Sequence, residues 1–205
     1  MRIAILGGTF DPIHNGHLRA AQAVSDVFEL DEVHFTPAFV PPHKASSGIT
    51  SAFHRFVMVA IAIAPFSRFR VSPIEADTLK SRYSVETLES MHRTYPDSSF
   101  LFIAGTDMFH DIAGWKDYRR LLELTSFAVV NRQGFRMRED IAPVEVVGES
   151  ASISIMDKRQ IYYVPFIEEN VSATNIREGA QREESLEGWV PPEVAAYISR
   201  HQLYQ

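Results

Sequence analysis

Cysteine is missing altogether from the 205 residues. That removes disulfides and thiolate metal sites, and it fits a reducing compartment. A long hydrophobic run is missing as well. The longest apolar stretch, around Val57 to Phe66, is too short to span a bilayer. Positive charge is scarce: 20 Lys and Arg stand against 26 Asp and Glu, a net charge of −6. A surface of that sign repels a polyphosphate backbone, so general nucleic-acid binding is disfavoured, while a small phosphate ligand stays open. No signal-peptide pattern precedes the first strand-like run. These absences predict a cytoplasmic protein with no membrane and no nucleic-acid partner. Oligomeric state stays open, homo-oligomers included.

Familiar catalytic patterns are absent too. The dinucleotide fingerprint Gly-x-Gly-x-x-Gly does not occur, nor does Gly-x-x-x-x-Gly-Lys-Ser/Thr. There is no Gly-x-Ser-x-Gly elbow. Hydride transfer, P-loop hydrolysis and acyl transfer fall in rank accordingly.

What is present is an alternation of strand-like and helix-like segments. At 45% hydrophobic and 22% charged, the chain can bury a full core. Its length predicts one domain over residues 1–205, with a short C-terminal helical part from about residue 172. Strand patterns fall at Arg2–Leu6, Glu32–Pro37, Phe69–Ser72, Ser99–Ala104, Ser126–Val130 and Ile161–Val164. Helix patterns fall at Gly16–Leu30, Ser51–Ala64, Tyr83–Tyr95, Tyr118–Leu124, Ala173–Gln181 and Glu193–His201. Phe135–Lys158 is irregular and reads as a loop or variable insertion. The alternation predicts an α/β fold, a doubly wound, mostly parallel Rossmann-like sheet with helices on both faces. Ligands of such sheets sit at the carboxyl ends of the strands, beside the switch point. Four loops then matter: Gly7–His17, Pro37–Lys44, Gly105–Trp115 and Val171–Arg177.

The opening segment carries the chemistry. A short apolar run stops at Gly7 and Gly8, and His14 and His17 follow where a helix begins. Glycine there permits a tight turn and close approach of a ligand. Three readings of the histidines compete. One caps the helix and the other lies on the surface; or the pair binds zinc; or both imidazoles, with the helix N-terminus, hold a phosphoryl group. The Gly-Gly turn favours the third.

Gly7-Gly8-Thr9-Phe10-Asp11-Pro12-Ile13-His14-Asn15-Gly16-His17 resembles the signature of the nucleotidyltransferase superfamily with the His-x-Gly-His motif. Ser172-Ala173-Thr174-Asn175-Ile176-Arg177 resembles its second signature, near the other end of the chain. Pro41-Pro42-His43-Lys44, Tyr83-Ser84, Gly105-Thr106-Asp107, Trp115 and Arg132 narrow the resemblance to the bacterial nicotinate-nucleotide adenylyltransferases. The resemblance implies transfer of the adenylyl group of ATP to nicotinate mononucleotide, giving nicotinate adenine dinucleotide and pyrophosphate, a late step of NAD synthesis. Gln133 departs from the proline that many relatives carry after the arginine.

The same resemblance implies roles. His14 and His17 hold the α-phosphate, Lys44 supplies a point charge, and Arg177 clamps the β- and γ-phosphates. Gly7, Gly8, Thr9, Phe10, Asp107, Ser172 and Thr174 complete the ATP side. His43, Tyr83, Ser84, Trp115 and Arg132 form the acceptor side, with Trp115 stacking on the pyridine ring. Main-chain N–H groups near Tyr83-Ser84 and after Trp115 favour the nicotinate carboxylate. Mg²⁺ is the implied cofactor, held mainly by ATP phosphates, with no protein metal site. Each residue also has a plainer reading taken alone. Lys44 is a surface lysine, Arg177 pairs with Glu178 or Glu183, Ser172 is a helix cap, Trp115 is core, and Asp107 caps a helix. Rival readings are the amide nucleotide as acceptor, a non-catalytic nucleotide sensor, and a zinc hydrolase.

Overall fold

The computed structural model describes residues 1–39, 48–75, 82–131, 144–146, 160–165 and 171–205. Seven strands form one sheet: β1 Arg2–Gly8, β2 Glu32–Pro37, β3 Phe69–Val71, β4 Ser99–Gly105, β5 Ser126–Val130, β6 Val144–Val146 and β7 Ile161–Val164. Their spatial order is β3-β2-β1-β4-β5-β7-β6. Every pairing is parallel, with Ile5 opposite His34 on one side and Phe102 on the other. Among the described residues the helices are α1 Asn15–Val27, α2 Ala52–Ile63, α3 Ser84–Thr94, α4 Thr106–His110, α5 Tyr118–Leu124, α6 Ala173–Gln181 and α7 Pro192–Arg200.

Period-two alternation of buried side chains explains the layering. Along β1, Ala4 and Leu6 join the cluster of α1, α2, α6 and α7, built on Leu18, Val24, Met58, Ile176 and Val194. Ile3 and Ile5 point to the other face, with Val85, Leu88, Phe109 and Leu121 of α3, α4 and α5. A sheet buried on both faces is what continuous apolar strands such as Phe100–Ala104 require. The expected doubly wound α/β sheet is therefore present, and the described pairs are wholly parallel rather than mostly so.

Strand order reverses between β1 and β4, neighbours in the middle of the sheet. At such a switch point the loops leaving neighbouring strands diverge and open a crevice. The sequence reading differs from the structure in a few elements. A short helix (α4) and a 3-10 turn at Ile112–Gly114 occupy the segment read as a loop after β4. Five residues are too few to show a helical period. Val144–Val146 is an edge strand inside the segment read as an insertion; the rest of Phe135–Lys158 lies outside the described residues. No helix among the described residues is long and apolar enough to cross a membrane.

Candidate active site

A cavity of about 780 Å³ opens at the carboxyl ends of β1 and β4, between α1, α3 and α6. Its size suits a nucleotide. The loop after β1 lines one wall with Gly7–Asp11, His14, Gly16 and His17, and Ser172, Thr174 and Arg177 of α6 face them. Tyr83, Ser84, Asp107, Trp115 and Lys116 line the other end.

The two histidines are tightly organised. His14 is the N-cap of α1 and is buried, and His17 stands at N3. Their rings stack with centroids 3.6 Å apart and planes at 25°. Nδ1 of His17 accepts the main-chain N–H of His14 at 3.3 Å. In the neutral ring that bond leaves the proton on Nε2. Both the capping and the phosphate readings are therefore compatible: the caps orient the imidazoles. Among the described residues no three His, Asp or Glu gather as a metal cluster.

Phe10 sits beneath this pair. Its side chain is buried, its ring meets His17 edge-on at 5.1 Å, and its φ is 48°. Phe10 therefore packs against His17 and also lines the cavity. Gly8 keeps close company with the same ring: a Cβ there would lie 3.1 Å from Phe10, a tight contact.

Asp11 is the hub of the site, a role its local sequence does not announce. Its side chain is buried; Oδ1 accepts the Tyr204 hydroxyl at 2.8 Å, and Oδ2 accepts the Thr50 N–H at 3.2 Å. Its main-chain oxygen accepts Nη1 of Arg177 at 2.8 Å. Burial and the Asp11 carboxylate push the Tyr204 hydroxyl well above the usual tyrosine range. Arg177 also reaches the Thr174 hydroxyl, Nη2 to Oγ1, at 3.2 Å. The surface pairing with Glu178 or Glu183 is not formed by Arg177 among these contacts.

Arg55 of α2 is a second residue the sequence did not single out. It is almost wholly buried, and it donates to the carbonyls of Thr9 at 2.6 Å, Thr50 at 2.8 Å and Phe39 at 3.1 Å. Burial lowers its guanidinium pKa, opposed by Asp11, Tyr204 and Glu75. A charged arginine inside an apolar helix was the available signal, because such residues stay inside only when satisfied. Asn15 stands between the two histidines of the motif. It ties α1 to the C-terminal segment, donating from its side chain to Gly188 at 2.8 Å and from its main chain to Trp189 at 2.9 Å.

Ser172 is the N-cap of α6, accepting the Asn175 N–H at 3.1 Å, so its plainer reading is realised within the site. Asp107 is not a cap. Gly105 holds that position, and the Asp107 carboxylate lies over it, where a Cβ would meet Oδ1 at 2.6 Å. Trp115 packs edge-on against Phe102, centroids 6.1 Å apart, and still lines the cavity. Tyr83 caps α3, and its N–H donates to Glu86 Oε2 at 3.0 Å. That donor, one of those expected to meet a ligand carboxylate, is taken by Glu86; Ser84 N–H, at the first position of the helix, has no intrahelical acceptor. His43, Lys44 and Arg132 lie outside the described residues.

The Cytidylyltransferase-like family model matches residues 5–179. A relative from Geotalea uraniireducens, named "Probable nicotinate-nucleotide adenylyltransferase", is 37% identical over 213 residues, covering 100% of this chain and 98% of its own. One of the same name from Corynebacterium glutamicum is 36% identical, covering 100% of this chain and 88% of its own. Among solved structures, the Plasmodium falciparum nicotinic acid mononucleotide adenylyltransferase complexed with NaAD superposes with a TM-score of 0.78 at 20% identity, over 99% of this chain and 97% of that one.

Proposed function

The chain belongs to the nicotinate-nucleotide adenylyltransferases of the cytidylyltransferase-like family, and from that premise we propose how its residues carry out adenylyl transfer from ATP to nicotinate mononucleotide. An oxygen of the acceptor phosphate forms a bond to the α-phosphorus of ATP. The bond from that phosphorus to the bridging oxygen breaks, and pyrophosphate leaves. The product, nicotinate adenine dinucleotide, is an intermediate of NAD synthesis. The attacking phosphate is already ionised, so no general base is needed. The obstacle is bringing anions together in line, which calls for alignment and charge neutralisation.

One observation carries this assignment of roles: Arg177 and the two histidines meet across the switch point, joined through Asp11. His14 and His17 neutralise the α-phosphate with imidazole N–H groups and the N-terminus of α1. Arg177, fixed by Asp11 and Thr174, takes the β- and γ-phosphates. Ser172 and Thr174 add hydroxyls at the start of α6. Lys44 supplies a point charge to the phosphates, and His43 and Arg132 serve the acceptor nucleotide. Trp115 and Tyr83 flank the pyridine ring, and Asp107 accepts ribose hydroxyls.

The residues fit Mg²⁺ that arrives on the triphosphate. Both oxygens of Asp11 are engaged, and the phosphate side otherwise offers hydroxyls and cationic or N–H donors. The ion would be held by phosphate oxygens and water, and it supplies charge neutralisation of the departing pyrophosphate. The test is a parallel assay of pyrophosphate release with ATP, Mg²⁺ and either nicotinate or nicotinamide mononucleotide. Faster turnover of the acid is expected. Absence of turnover with both overturns the reading.

A further inference from the structure

Selection of the acid over the amide requires a group that distinguishes a carboxylate from a carboxamide of nearly the same shape. The charge is the main difference, so a cation near the ring is the most direct discriminator. At the acceptor end of the cavity, Lys116 follows Trp115 directly and lines the wall with Tyr83 and Ser84. Its ammonium lies 4.6 Å from the centroid of the Tyr83 ring and 2.7 Å from Glu86 Oε1. Glu86 is committed on both oxygens, because Oε2 accepts the Tyr83 N–H.

These contacts hold the lysine without consuming it. An ammonium has three N–H donors. One meets Glu86 and the Tyr83 face attracts the positive end, which leaves donor capacity for a ligand. The side chain is 44% exposed, at the mouth of the cavity rather than locked into the core. Other charges at this end are more firmly placed. Arg82 Nη1 donates to the Ile74 carbonyl at 2.6 Å, and Glu75 Oε1 accepts the Thr87 hydroxyl at 2.8 Å.

We propose that Lys116 is a specificity-determining residue: its side-chain ammonium, poised between Glu86 and the Tyr83 ring, meets the carboxylate of the pyridine ring and favours the acid nucleotide. This rests on the functional reading above. It adds a side-chain charge to the main-chain donors, one of which, the Tyr83 N–H, is already occupied. Glu86 sets the position of the ammonium, and the ligand carboxylate shares it.

The decisive experiment compares kcat/KM for nicotinate and nicotinamide mononucleotide in the wild type, Lys116→Met, Lys116→Arg and Arg82→Met. The acid-to-amide ratio is expected to fall about tenfold in Lys116→Met, as for loss of one charge-assisted contact at a partly exposed site. Lys116→Arg, which keeps the charge, is expected to retain most of the ratio. A purely structural lysine would lower both substrates together and leave the ratio intact, which overturns the proposal. A ratio that survives Lys116→Met and collapses in Arg82→Met overturns it as well. Failure of the wild type to turn over either nucleotide sinks the functional reading and this inference together; acid turnover with an unmoved ratio sinks only the inference.

Discussion

Arg177 Nη1 donates to the main-chain oxygen of Asp11 at 2.8 Å, across 166 residues of sequence. The carbonyl belongs to the loop that leads into α1, whose first turn carries His14 and His17; the guanidinium belongs to the helix that follows Ser172. The contact makes the position of one cavity-lining element depend on the other.

Replacing Arg177 with alanine should lower kcat by about 10²–10³, the usual loss for one group that stabilises transition-state charge. Stability should change by only about 1 kcal/mol, the worth of a typical hydrogen bond. Arg177→Lys should fall between, because it keeps charge and loses the planar fork. His17→Ala should cost at least about a hundredfold for the same reason. Pyrophosphate release and thermal unfolding, measured on the same samples, separate chemistry from folding. A loss under about a hundredfold in either alanine variant contradicts the assigned roles.

Tyr204 extends the same relationship to the C-terminal segment. Its hydroxyl donates to buried Asp11 Oδ1 at 2.8 Å. Tyr204→Phe keeps the ring and removes the donor, leaving a carboxylate oxygen less satisfied at a cost of about 1–3 kcal/mol. A Tm lower by several degrees is expected, with a raised KM for ATP through the Asp11–Arg177 contact. The hydroxyl's raised pKa keeps it protonated throughout the neutral range. The Tm difference between the two proteins should therefore stay flat from about pH 6 to 9. An unchanged KM for ATP would show that Asp11 positions Arg177 without help from Tyr204.

Arg55 is the stability counterpart. It satisfies carbonyls of Thr9, Thr50 and Phe39 from a buried position. Arg55→Met conserves much of the volume but strands those acceptors and leaves Asp11 with a neutral neighbour. Breaking a buried charged network of this kind costs about 3–5 kcal/mol. Chemical denaturation should show that loss as a lower midpoint. A variant as stable as the wild type would mean the carbonyls find other donors.

Much of this was legible in the sequence because the signals were local. Glu32–Pro37, Ser126–Val130 and Ile161–Val164 form strands at the expected bounds, since apolar runs closed by turn residues need no distant information. The glycine and histidine pattern pointed to the switch point for the same reason. What escaped was long-range. Nothing near Tyr204 in sequence indicates that it bonds Asp11, and nothing near Arg55 names the three carbonyls it meets. The Tyr83 N–H illustrates a different limit. A main-chain donor is anonymous in sequence, and only the fold reveals that Glu86 has taken it.

The Lys116–Glu86 pair gives a pH dependence with a definite sign. The hydrogen bond from Lys116, aided by the Tyr83 N–H, holds the Glu86 carboxyl below its ordinary 4.5. A depressed acid stabilises the fold above that ordinary value, and the contribution is lost as pH falls through the lowered one. The hydrogen bond to Glu86 raises Lys116 above its ordinary 10.5. A raised base contributes below that ordinary value and loses it as pH rises through the raised one. Across the window between them both groups are charged and the pair is constant. The Tm difference between the wild type and Lys116→Met should therefore be small, as befits an exposed pair, and flat from about pH 6 to 9. It should shrink toward zero in strong acid, and high salt should reduce it at neutral pH. A difference that changes between pH 6 and 8 would mean another titrating group governs this corner of the site. The acid-to-amide ratio should be equally flat over that range, because neither Lys116 nor Glu86 changes charge there.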